Sequence, residues 1–240
     1  MMKKLYEKSQ LAFALVWIGI YCVGMSVFDE ISRTIGVESV ASAVFAIAVT
    51  AFLLIWVNKN GLATHFGLCK GLVPARAFLY YLPLLVITVF NIWCGVELHY
   101  GGIGTVCFVL KMLGVGFLEE LIFRGFLFKA MCRDSIKWAI AVSSITFGLG
   151  HILNLVNGSG MSLEENLVQI ISAVLIGFLF VMIFYRGGSI WPCVLSHGVF
   201  NSLSAFSREN ESVLLVVILC LLVVAYAAVL CKTLPKKERI

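Results

Sequence analysis

Charge is scarce in this chain. Lys, Arg, Asp and Glu make up 13% of its 240 residues, against about 25% in a typical soluble domain. Proline is scarce too, with four residues, so few helices need be interrupted. The eight cysteines are scattered and never form a C-x-x-C pair, which excludes a zinc or disulfide framework of the usual spacing. There is no internal repeat and no low-complexity tract. The end, Lys-Glu-Arg-Ile, carries no prenylation signal, and no small-residue cleavage site follows the first apolar stretch. That stretch is therefore expected to stay as a helix.

Apolar residues fill the gap, at 61% of the chain with a mean hydropathy of +1.01. No water-soluble globule could cover so much apolar surface. A bilayer crossing takes about 20 residues, and eight stretches qualify: 11–28, 37–57, 77–95, 104–128, 137–153, 166–185, 189–206 and 212–231. The expected fold is an all-α, polytopic transmembrane helical bundle of about eight spans, one domain over 1–240. Lys and Arg sort with these spans. Fourteen lie in the two tails and in alternate loops, while the other loops hold only Arg33 and Arg208. Basic residues favour the cytoplasmic side, so both termini are expected there. The net charge of +5 is then explained by an anionic cytoplasmic leaflet, with no nucleic acid needed. A bacterial plasma membrane is the expected location.

The ionisable residues left inside spans are Lys111, Glu119, Glu120, Arg124, His151 and His197. Intramembrane charges mark function by default. Glu120 and Arg124 are four apart, on one helix face, in the order that favours pairing. Glu119 is rotated away and has no partner from its own helix. A second carboxylate in apolar surroundings suits general acid or base chemistry. Phe147 and His151 are one turn apart on the next span, as are His197 and Asn201 two spans later. Gly114, Gly116, Gly148, Gly150 and Gly198 would let these helices approach closely. Lys111 reads as a snorkelling or locally paired lysine, and Ser162 with Glu165 as a helix-opening capping box.

Glu119-Glu120-x-x-x-Arg124, Phe147-x-x-x-His151 and His197-x-x-x-Asn201, in this order, resemble the CAAX-protease and bacteriocin-processing (CPBP, or Abi) family of intramembrane proteases. The resemblance covers roughly residues 100–210, the expected catalytic core, and implies a helical bundle around a polar cavity open to one membrane face. It implies endoproteolysis of a membrane-associated peptide or protein: CAAX-type, bacteriocin or signalling-peptide processing, or self-immunity. Glu119 and His151 would activate a water, His197 and Asn201 would hold the oxyanion, and Glu120 and Arg124 would orient the site.

Two chemistries remain open for the site. A glutamic protease without cofactor is expected, because the H-E-x-x-H spacing is absent and Arg124 beside two glutamates would repel a cation. The alternative is zinc on Glu119, His151 and His197. Two further functions fit the same carboxylates: a non-catalytic bacteriocin-immunity protein, or a proton-coupled transporter, though the latter often shows repeats. The helical rise puts Glu119 about 13 Å, His197 about 12 Å, Asn201 about 18 Å and His151 about 21 Å from the cytoplasmic span ends. That spread is wide for one site, although helix tilt narrows it.

Overall fold

A computed structural model describes residues 2–157, 160–208 and 212–234. The described chain is helical, and its only β pairing is an isolated bridge between Val96 and Ser207. A short α1 (Met2–Lys8) leads into α2 (Gln10–Ile35), whose N-cap Ser9 accepts from the Ala12 amide. Gly36, in the left-handed conformation, ends α2 by donating back to the Ser32 and Arg33 carbonyls, the usual role of glycine at this position. Next comes α3 (Val40–Lys59). These long helices expose Leu15, Val23, Val44 and Ile55. Apolar side chains facing outward along whole helices belong in lipid, not water.

The third expected stretch, 77–95, is interrupted. A 3₁₀ segment, Ala75–Tyr81, ends in Leu79, Tyr80 and Tyr81 at positive φ. The helix restarts as α4 (Leu82–Thr88), with Pro83 in its first turn. Proline is suited to that position, because its missing N–H has no helical partner there. The rest follows as α5 (Gly102–Glu119), a π-helix (Glu120–Phe128), α6 (Lys129–Met131), α7 (Ile136–Leu149), α8 (Leu153–Val156), α9 (Leu163–Gly187), α10 (Trp191–Leu203) and α11 (Val213–Thr233). Ser162 and Glu165 form a reciprocal capping box at the start of α9. Among the described helices, five are long and apolar enough to cross a membrane: α2, α3, Ile136–Val156, α9 and α11. The other expected spans are met by shorter or interrupted helices.

The connections gather at two ends of the bundle. At one end Leu72 donates to the Gly187 carbonyl and Ile190 to that of Gly67. Phe66 packs edge-on against Phe126 there, and Arg186 donates to the Leu234 carbonyl. At the other end the Val96–Ser207 bridge sits near Asn91, which donates to the Phe200 carbonyl. Arg33 donates to the Asn157 carbonyl, and Asn157 in turn to Ser26. Packing differs between the ends. In α9, every residue from Leu179 to Gly187 is buried, while before Leu179 only Asn166, Ala173 and Gly177 are. The bundle is solid at the first end and hollow toward the second.

Candidate active site

Glu119 and Glu120 stand where α5 gives way to the π-helix. Its i→i+5 bonds widen the helix, a feature frequent at functional sites. All nine residues of this segment are buried. Oε1 of Glu120 lies 3.1 Å from Nη1 of Arg124, with both side chains fully inaccessible. The guanidinium carbon sits 4.1 Å from the centre of the Phe147 ring, and Nη2 donates to the Gly177 carbonyl at 3.3 Å. The ion pair itself lies outside hydrogen-bond geometry. Arg124 Nε and Nη1 and Glu120 Oε2 have no hydrogen-bond partner among the described residues. Charge attraction and ring stacking therefore hold this pair more than directed bonds do.

His197, from α10, reaches both glutamates. Its Nδ1 is 2.9 Å from Glu120 Oε1, and its Nε2 is 3.5 Å from Glu119 Oε2. Only the Nδ1 contact is a hydrogen bond, and Nε2 faces Glu119 at the longer distance. Close helix approach makes this contact possible. A Cβ on Gly116 would meet the Gly198 amide nitrogen at 2.5 Å and its Cα at 2.6 Å. Only a residue without a side chain lets α5 and α10 touch backbone to backbone.

Tyr21, on α2, donates its hydroxyl to Glu119 Oε1 at 2.6 Å. Nothing in the sequence motifs singled it out. The available signal was a tyrosine in mid-span, whose buried hydroxyl needs a partner, but the sequence does not say which.

His151 lies in the 3₁₀ turn Gly150–Ile152 that follows α7. Its Nδ1 is 3.3 Å from the Phe147 carbonyl. A carbonyl only accepts, so Nδ1 carries the hydrogen and Nε2 is left as an acceptor. Asn166 fixes the turn by donating to the His151 carbonyl at 2.8 Å. The Phe147 ring meets both His151 and His197 edge-to-face, each with centroids 5.5 Å apart.

Glu119, His151, His197 and Asn201 all line one cavity of about 1000 Å³. Glu120 and Arg124 stand behind that lining and reach it only through their neighbours. The direct contacts differ from the simplest pairing of the motifs. His197 bridges the two glutamates, while His151 is held by Phe147 and Asn166. The Asn201 carbonyl accepts from the Ser204 hydroxyl. Lys111 pairs with Asp29 of α2 at 2.7 Å, at the edge of the cavity. Glu119 already receives Tyr21 and faces His197, and the described residues include no group of three or more His, Cys, Asp or Glu arranged to hold a metal.

A model of one family, Type II CAAX prenyl endopeptidase Rce1-like, matches residues 101–203. No curated protein and no solved structure matches the chain. The matched stretch holds all three motifs and excludes Tyr21. It indicates a CAAX-type endopeptidase, acting on a peptide or protein at the membrane, in a multi-pass protein. The chain thus carries an Rce1-like region over residues 101–203, in keeping with the CAAX-protease and bacteriocin-processing family of intramembrane proteases that its motifs resemble.

Proposed function

We propose that the protein is a metal-independent glutamic endopeptidase whose site is the cavity shared by Glu119, His151, His197 and Asn201. The observation that carries this reading is the environment of Glu119. One carboxylate faces a polar cavity, oriented by the Tyr21 hydroxyl at 2.6 Å and by His197 at 3.5 Å. His151, held through Nδ1 at the Phe147 carbonyl, lines the same cavity. A water held between Glu119 and His151 loses its proton to one of them as its oxygen attacks the scissile carbonyl. The acquired proton then passes to the leaving amine, so the step balances with no external reagent. His197 and the Asn201 amide stabilise the tetrahedral oxyanion, each such donor being worth about 3–4 kcal/mol. Glu120 and Arg124 hold His197 in place from behind.

Its substrate is a membrane-associated peptide or protein segment, as CAAX-type, bacteriocin or signalling-peptide processing would supply. A bacterial plasma membrane with an anionic cytoplasmic leaflet is its setting, in keeping with the loop charges. The test compares purified wild type with Glu119→Gln and His151→Ala on a peptide library read by mass spectrometry. Cleavage by wild type, lost in both variants and unchanged by chelators, supports the reading. Cleavage that survives Glu119→Gln, or that stops with EDTA and returns with zinc, overturns it.

A further inference from the structure

We propose that Gln169 binds the substrate, donating its side-chain amide to a main-chain carbonyl beside the scissile bond. The inference deepens the endopeptidase reading and rests on it for the nature of the occupant. Asn166 and Gln169 are three apart on α9, so they share a helix face. Both lie in the apolar stretch 166–185, where a carboxamide needs a partner or a polar cavity. Asn166 is fully buried, whereas Gln169 is half-buried and lines the cavity.

The hydrogen bonds fix which way the Gln169 amide points. A carboxamide accepts at its oxygen and donates from its nitrogen. The His151 carbonyl can only accept, so the atom of Asn166 that meets it at 2.8 Å is Nδ2. That same Nδ2 lies 3.3 Å from Gln169, which must answer with Oε1. Asn154 Nδ2 donates to Oε1 as well, at 2.8 Å. Two donors fill the two lone pairs of this oxygen. Reversed, the amide would set N–H groups against the donors of both asparagines. Gln169 Nε2 therefore stands away from them, and it has no acceptor among the described residues. A purely structural glutamine would bond this nitrogen to the protein. Asn166 Oδ1 is buried without a partner, so Asn166 serves here through its donors alone. One asparagine thus anchors both the His151 turn and Gln169.

Helix packing places Gln169 near the reacting groups. A Cβ on Gly148 of α7 would meet the Ile170 carbonyl and the Val174 amide nitrogen at 2.9 Å each. His151 follows Gly148 by three residues, and its carbonyl meets Asn166. Gln169 accordingly stands at the height of His151. An extended chain turns successive groups to opposite sides, so a donor at this height takes a carbonyl close to the bond being cut. An uncharged donor to the main chain recognises a peptide whatever its side chains. Gln169 would hold the chain in place without selecting its sequence.

A thiocarbonyl scan tests this. A peptide cut by the wild type is remade with one main-chain carbonyl oxygen at a time replaced by sulfur, a weaker acceptor. Then kcat/KM is read for wild type, Gln169→Leu and Gln169→Glu. In the wild type, sulfur at one position flanking the scissile carbonyl should lower kcat/KM by about 3–10-fold. Both variants should lose at least about that factor on the all-oxygen peptide and lose nothing more with sulfur at that position. Gln169→Glu keeps the shape and both bonds to Oε1, so it reads the position if Gln169→Leu fails to fold. A sulfur effect equal in wild type and variants, or an all-oxygen peptide cut as well by the variants, overturns the inference. If detergent-solubilised wild type cuts no peptide, the endopeptidase reading fails. Retention of the same peptide library on the immobilised proteins then decides Gln169: retention about 3–10-fold weaker in the variants supports it, and equal retention or none overturns it.

Discussion

Arg124→Met tests whether the buried ion pair is a structural necessity created by the glutamates. Arg124 and Glu120 are both fully inaccessible, 3.1 Å apart. Removing one partner of such a pair leaves a buried charge uncompensated and costs about 3–5 kcal/mol. Here Glu120 keeps His197 at 2.9 Å, which places the expected loss near the lower limit, about 3 kcal/mol. For a chain of this size each kcal/mol moves the melting temperature by about 2–4 °C, so a fall of about 10 °C is expected. Glu120→Gln in the same background removes the stranded charge, and the double variant should recover at least about half the loss. The assay is thermal unfolding of both variants in one detergent at fixed concentration. A double variant no more stable than Arg124→Met would refute the electrostatic account and assign the cost to the stacking of the guanidinium on Phe147. Activity should not return with stability, because His197 loses its charged anchor.

Tyr21→Phe removes the hydroxyl that meets Glu119 at 2.6 Å. A hydrogen bond to a charged group is worth about 1.5–3 kcal/mol, so peptide cleavage should fall by about 10–150-fold in kcat with the fold intact. An unchanged kcat would remove Tyr21 from the site. Gly116→Ala puts a Cβ 2.5 Å from the Gly198 amide nitrogen, whereas Gly19→Ala meets nothing within 4 Å. The first should cost about 1–3 kcal/mol or more and abolish cleavage, and the second should be tolerated; melting curves and turnover read both. His65 lies outside the spans. The surrounding chain partly desolvates it although an edge stays exposed, and Lys129 and Arg133 repel its charged form, so it titrates below the ordinary imidazole range. The folded chain then binds fewer protons than the unfolded one between the two values, so this contribution is full above the ordinary value and is lost as pH falls toward the folded one. Lys129→Gln should raise the titration midpoint seen by NMR.

Much of this architecture was legible because lipid imposes a simple rule. Backbone polar groups must be satisfied within each span, so long apolar runs such as 166–185 and 212–231 can only be helices, and α9 and α11 cover them. The apolar stretch 77–95 is interrupted. Its apolar composition is that of a helix, yet Leu79, Tyr80 and Tyr81 turn left-handed before Pro83, a choice made by packing and not by hydropathy. Spacing announced the Glu120–Arg124 pair, since four residues define a helical face. The π-helix carrying it was hidden, because a change of hydrogen-bond register leaves composition unchanged.

By itself, then, the sequence determined the helical class, the sorting of basic residues to one side, and which few polar side chains had to be buried together. Those follow from local periodicity and from the cost of placing charge in hydrocarbon. Tertiary structure alone decided that His197 joins both glutamates and that Tyr21, 98 residues from Glu119, completes its shell. These depend on how helices distant in sequence cross, and the contact of Gly116 with Gly198 sets one such crossing.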